Sequence, residues 1–263
     1  MLKKIKRNIK IFLLFTNQSL KKTTQSRQAI LLFTLAKILR FVFLFGLIFL
    51  IFSKTNNISG WSLKQIIILY LTFNFIDTFS QVLYREVYRF RPLVISGNLD
   101  LILVKPYHPF LKVLLGGVDL LDFLLLIPYS FLLIFFIFKE NVSFFSFFWY
   151  LTLVVNGLII STAFHIFVLA LGLLTTEVDN AIMIYRDLLN LGRFPIEIYQ
   201  QIISFIFTFI IPIGVMITFP VKALFHFLNL KNIVFSFFIS FFLLSLSIKF
   251  WQLGLKKYQA AGG

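Results

Sequence analysis

Cysteine is absent from the 263 residues. Its absence excludes a disulfide framework, thiolate chemistry and any cysteine-ligated metal, and leaves three histidines as the only nitrogen ligands. Charge is scarce at 13% Asp, Glu, Lys and Arg, while 59% of the residues are hydrophobic, 19% are aromatic and the mean hydropathy is +0.93. Those values fall outside the range of ordinary soluble domains, so water is not the main solvent. Acidic residues number 10 against 25 basic ones, for a formal charge of +15. In a soluble protein that imbalance would point to nucleic acid. Here Lys and Arg lie between apolar runs, where they meet anionic lipid headgroups instead, so no nucleic acid partner is expected. A phosphate-cradling Gly-x-x-x-x-Gly-Lys-Ser/Thr is also missing, as are internal repeats, linkers and a soluble appendage able to hold a nucleotide.

What is present is a series of apolar runs near 30–53, 65–84, 111–138, 147–174, 199–219 and 232–251. Each reaches the roughly 20 residues that a helix needs to cross a bilayer core. The expected fold class is therefore all-α, a polytopic membrane protein with six transmembrane helices in one domain over residues 1–263. Two connections are long, Arg85 to Phe110 and Thr175 to Ile198. With the N-terminus inside, eighteen Lys and Arg residues fall in inner segments and five in outer ones, namely Lys54, Lys64, Lys139, Lys222 and Lys231. That excess places both termini and both long connections in the cytoplasm.

Residues 1–28 read as an amphipathic helix. Ile5, Ile9, Phe12, Leu13, Thr16 and Leu20 recur at helical spacing, with Lys3, Lys6, Lys10, Asn17 and Lys21 on the opposite face. This is the pattern of an interfacial helix in the inner headgroup layer. It either serves only as a basic leader that sets topology or presents its polar face to a cytoplasmic partner. The opening Met-Leu-Lys-Lys is like a secretory signal, but Thr16, Asn17, Gln18 and Ser19 break its apolar run and no small-residue cleavage site follows, so the segment is expected to be retained.

Ionisable groups inside a span cost about 2.5 to 3.5 kcal/mol each and call for named partners. They form a layer in the cytoplasmic half of the spans: Lys37, Arg40, Asp77 with Asn74 and Gln81 on its face, Asp119, Asp122 and His165. Asp77 is expected to pair with Lys37 or Arg40. One reading makes this layer a set of buried pairs that fixes helix packing. A second makes it an inner gate or polar access route for an amphiphilic substrate. A third has Asp119 and Asp122 acting as acid and base or holding a metal, although no lipid-modifying signature surrounds them and no metal site is expected. His165, among Phe164, Ile166 and Phe167, reads as a satisfied interior histidine. Pro128 and Pro212 predict kinks within spans.

The connection over residues 85–110 mixes charge with apolar residues, and Gly97 and Pro106 bracket a short apolar stretch containing Asp100. It reads as one or two short helices lying against the membrane. Its Ser-Gly-Asn-Leu-Asp-Leu-Ile-Leu-Val-Lys-Pro sequence resembles the permease subunits of type-two ATP-binding-cassette exporters. Gly192-Arg-Phe-Pro-Ile-Glu-Ile-Tyr199 leading into Ile210-Ile-Pro-Ile-Gly214, Pro220, and the terminal Tyr258-Gln-Ala-Ala-Gly-Gly263 add to the resemblance. It implies that Arg85 to Pro109 is a coupling element seated in a separate cytosolic ATPase, with Arg85, Glu86, Arg89, Arg91, Gly97, Asp100, Lys105 and Pro106 at the contact. It further implies two permease and two ATPase subunits in the cell membrane, ATP and Mg bound by the ATPases, and outward movement of an amphiphile or polymer. This chain would itself be no enzyme. Two rivals stay open at this stage: an integral membrane enzyme of lipid or cell-envelope metabolism using Asp119 and Asp122, and a non-catalytic scaffold subunit.

Overall fold

The computed structural model describes residues 2–24, 27–175 and 177–258. Most of the terminal motif, residues 259–263, lies outside the described residues. Five helices are long and apolar enough to cross a membrane, and a bent pair makes up to six, as the apolar runs predict. The chain begins with α1 (Leu2–Thr24) and α2 (Arg27–Phe52), followed by α3 (Leu63–Tyr84). A tight turn at Arg85–Arg89 leads into three short helices, α4 (Phe90–Ile95), α5 (Asn98–Leu103) and α6 (Phe110–Val113). Two long helices, α7 (Leu120–Lys139) and α8 (Phe144–Thr175), precede α9 (Val178–Asn190). The short α10 (Gln201–Phe205) and α11 (Phe219–Leu224) flank two π-turns, and α12 (Leu230–Lys257) closes the chain. No strand occurs among the described residues.

Side-chain pairs give the helix directions. Lys64 meets Glu140 at 3.0 Å and the Asp119 amide donates to the Val82 carbonyl at 3.3 Å, so α3 and α7 are antiparallel. Thr72 bonds Tyr150 and Tyr84 bonds Thr162, so α3 and α8 are parallel. Asn156 donates to the Ser236 carbonyl at 3.0 Å and accepts from Ser240 at 2.5 Å, while a side chain at Gly254 would touch Ala170 and Leu173, so α12 runs parallel to α8. Hydrogen-bonding polar residues suit such helix seams, because hydrocarbon offers their groups no other partner. The core follows the same seams, with α3 the most enclosed element: Ile66, Ile68, Leu69, Leu71 and Ile76 are fully buried. The ends of α3, α8 and α12 thus share one face with the start of α2 and α7, and both ends of the described chain lie on it.

Three elements differ from the sequence reading. The connection Thr175 to Ile198 is not a plain connector: it carries α9, whose Val178, Ile182, Tyr185 and Leu189 are buried at helical spacing. Val178 faces Gly172 near the end of α8, Tyr185 bonds Ser161 at 3.1 Å, and Glu197 pairs with Lys222. The segment therefore climbs along α8 toward its start. The run 199–219 bends far more sharply than the kink expected at Pro212. Gln201–Ile210 and Gly214–Leu224 meet at 80°, and Pro212, which has no amide hydrogen to donate, sits at the break. The Met216 carbonyl lies against Gly157, and His226 just past α11 bonds Ser146 at the start of α8 at 2.9 Å. The pair is a hairpin that dips toward the middle of α8 and returns to the face opposite the chain ends. The third run also starts later than its apolar residues suggest, because α6 and Gly116-Gly117 break it before Leu120.

Candidate functional site

The turn and short helices after α3 form an elbow held from inside. Val87, Phe90, Leu99, Ile102 and Val113 are buried against the last turns of α8, Val178 and Ile182 of α9, and Trp251 of α12. Gly97 lets the chain reverse between α4 and α5 by adopting φ 71°, a left-handed conformation that glycine takes without a Cβ penalty. Glu86 is buried and accepts from Lys112 at 2.6 Å and Arg89 at 3.3 Å. Arg85 reaches Asp119 at 3.4 Å, and Arg91 reaches Asp179 at 3.0 Å. Of the expected contact residues, Arg85, Glu86 and Arg91 thus hold the elbow together. Arg89, Lys105 and Pro106 are exposed, and Gly97 and Asp100 are half-buried. The apolar side chains Ile95, Leu101 and Val104 stand out from the same elbow at 62%, 61% and 81% exposure. Sequence reasoning did not single them out, because Leu99 and Leu101 to Val104 are all apolar and give no sign of which side is buried.

The amphipathic α1 forms as expected and docks on this elbow. Phe15 packs edge-on against Tyr107 with ring centroids 6.1 Å apart, and Lys112 lies 5.2 Å over the same Phe15 ring. Gly117, at φ +127°, passes so close that a Cβ there would sit 2.6 Å from the Phe15 carbonyl.

The polar residues expected inside the spans are wired differently from the sequence reading. Asp77 does not pair with Lys37 or Arg40: it accepts from Gln81, one turn on, at 3.0 Å. Lys37 pairs instead with the buried Asp122 of α7, because α2 lies alongside α7 as well as α3, with Phe41 touching both Tyr129 and Tyr70. Arg40 donates to Asn190 of α9 at 3.1 Å. Asp119 caps α7, accepting from the amides of Leu121 and Asp122 at 2.9 and 3.2 Å, besides meeting Arg85. His165 belongs to a separate cluster, buried between the rings of Tyr84 and Tyr185, with Nδ1 2.8 Å from the Ser161 carbonyl.

Lys37, Arg40, Asn74 and Asp77 line one recess of about 50 Å³ together with Arg186 and Arg193. The last two were assigned to a cytoplasmic loop by the sequence reading. The period of buried residues in α9 was the signal that would have brought them inside. A second cleft of about 460 Å³ continues from Arg40 and Arg186 past Tyr88 and Asn190 to Asp179 and Asp187.

Neither a curated protein nor a solved structure matches the chain. The family model described as "ABC-2 family transporter protein" matches residues 37–262, which spans every helix from the polar layer onward, the elbow and the hairpin. The chain therefore belongs to the ABC-2 family of transporter proteins, and it is a transmembrane subunit of an ABC transporter.

Proposed function

We propose that this chain is the permease half of an exporter, docking through Arg85 to Pro109 onto a cytosolic ATPase that binds ATP and Mg, and moving an amphiphilic or polymeric substrate outward through the cell membrane. The carrying observation is the elbow: its inner side is buried on α8, α9 and α12, while Ile95, Leu101 and Val104 face away from the chain. Exposed apolar groups beside Arg89, Lys105 and Pro106 suit a protein cleft better than water. On this reading both chain ends and the elbow are cytoplasmic, and α1 lies in the inner headgroup layer, tied to the elbow through Phe15. A second permease subunit covers α2, where only 6% of the residues in an 18-residue window of the apolar stretch Ile30–Phe52 are buried within the chain.

The rival reading as a membrane enzyme needs Asp119 and Asp122 free for acid and base work. Both are occupied, one as a helix cap and the other with Lys37. Co-expression with the ATPase subunit tests the proposal. ATP hydrolysis and substrate efflux from loaded vesicles are expected only when both subunits are present. Hydrolysis by the purified chain alone, or failure of the two to co-purify, would overturn it.

A further inference from the structure

We propose that the recess between α2, α3 and α9 binds the anionic, phosphate-bearing head group of an amphiphile through Arg40, Arg186 and Arg193; naming this substrate chemistry rests on the transport reading above. The first argument is charge. Lys37 is neutralised by Asp122, but none of the three arginines forms an ion pair among the described residues. Asn190 accepts from Arg40 at 3.1 Å and from Arg193 at 2.5 Å, so one neutral oxygen aligns two guanidinium groups without cancelling either. Arg193 also lies 5.3 Å over the Phe73 ring, and its Nε is buried with no partner. Arg186 lies 6.0 Å over the Tyr88 ring. Asp77 is the one carboxylate lining the inner recess. At the mouth, Asp179 is engaged by Arg91, and Asp187 is exposed.

Three arginines facing one carboxylate at membrane depth are costly unless an anion joins them. Arg40 makes the point most sharply, because it lies midway along the apolar stretch of α2 and its polar contact among the described residues is an amide. Guanidinium groups offer paired N–H donors that match a phosphate, and converging forks on a partly dry wall hold it more firmly than a diffuse positive surface does. The second argument is access. The cleft of about 460 Å³ beside Arg40 and Arg186 is the size of a small-molecule site. It opens beside α2, whose outer face carries Leu39 and Phe43 at 45% and 73% exposure. An amphiphile can therefore place its head in the cleft while its chains remain on an apolar surface.

The test is calorimetric titration of the purified full chain in a non-ionic detergent with dihexanoyl phosphatidic acid, dihexanoyl phosphatidylcholine and inorganic phosphate. Phosphatidic acid is expected to bind at least about tenfold tighter than phosphatidylcholine. Arg40→Gln and Arg186→Gln should each weaken it by about tenfold or more, as loss of a charged hydrogen bond does. Arg186→Lys should retain most of the affinity, and Lys231→Gln, on the opposite face, all of it. Inorganic phosphate binding as tightly as the lipid would support the anion site and assign it to a free ion, whereas weaker binding assigns it to a lipid head group. Equal binding of the two lipids, or unchanged affinity in both Gln variants, would overturn the proposal. Should the Gln variants not fold, wild-type affinity must still fall steeply as salt is raised, and a flat response sinks the idea. The assay contains no ATPase, so its failure leaves the transporter reading standing, and failure of ATPase co-purification leaves the anion site standing.

Discussion

Lys37 on α2 and Asp122 on α7 form an ion pair across 85 positions of sequence, with the carboxylate buried and the lysine one third exposed. It ties the least buried of the long apolar helices to the interior. Removing one partner of a buried pair leaves an uncompensated charge and costs about 3 to 5 kcal/mol, less where one side keeps solvent or headgroup contact. Asp122→Asn is therefore expected to lower the unfolding midpoint in detergent, and Lys37→Gln, Asp122→Asn together to lower it by less than the sum of the single changes. Additive losses would mean that the pair carries no coupling. The same cycle on Asp77 and Arg40 should be additive, since those two side chains have separate partners.

Gly157 is the contact point between α8 and the hairpin, where an added Cβ would sit 2.5 Å from the Met216 carbonyl. Backbone on both sides leaves little room to yield. Gly157→Ala should destabilise the chain by about 1 to 3 kcal/mol, the range for overpacking. Gly46, in the exposed α2, has nothing within 4 Å of such a Cβ. There, Gly→Ala should be neutral or stabilising by up to about 1 kcal/mol, because alanine favours the helix. Thermal unfolding of both variants checks the contrast.

The absence of cysteine makes the hairpin directly testable. Gln200→Cys and Asn229→Cys, both exposed positions on either side of it, should react with the same membrane-impermeant thiol reagent from the same side of sealed vesicles. Ser96→Cys on the elbow should react only from the other side. Labelling of Gln200→Cys together with Ser96→Cys would restore a straight fifth span.

Leu101 and Val104 contribute nothing to the interior, so charging them should leave the fold intact. Leu101→Asp and Val104→Asp are expected to reduce co-purification of the ATPase by about tenfold or more, the effect of losing an apolar anchor at an interface. The unfolding midpoint should stay where it is. Retained binding in both variants would move the docking surface elsewhere.

Much of the fold was legible because a bilayer imposes a length and a composition on anything that crosses it. The runs that became α2, α3, α7, α8 and α12 were all visible as apolar stretches. So was α1, where lysines and apolar residues alternate with a helical period. The break at Pro212 was visible as a kink, but its size was not, since an 80° bend depends on Met216 finding a seat against Gly157. The elbow was recognisable from its motif, yet the motif did not say which of its charges point inward. Glu86 turned out to be a structural hub because Lys112 and Arg89 converge on it.

By itself, the sequence determined the solvent of this protein, its helical class, the number of apolar stretches and the likeness to an exporter permease, because each depends on local composition or on a contiguous motif. Only the tertiary structure decided that α9 climbs along α8 rather than lying free, that Lys37 belongs to Asp122, and that Arg40, Arg186 and Arg193 share one recess. The physical reason is range. Hydropathy acts residue by residue, whereas the partner of a charge inside a membrane is set by which helices pack side by side, and Arg40 and Asn190 meet across 150 positions that no local pattern connects.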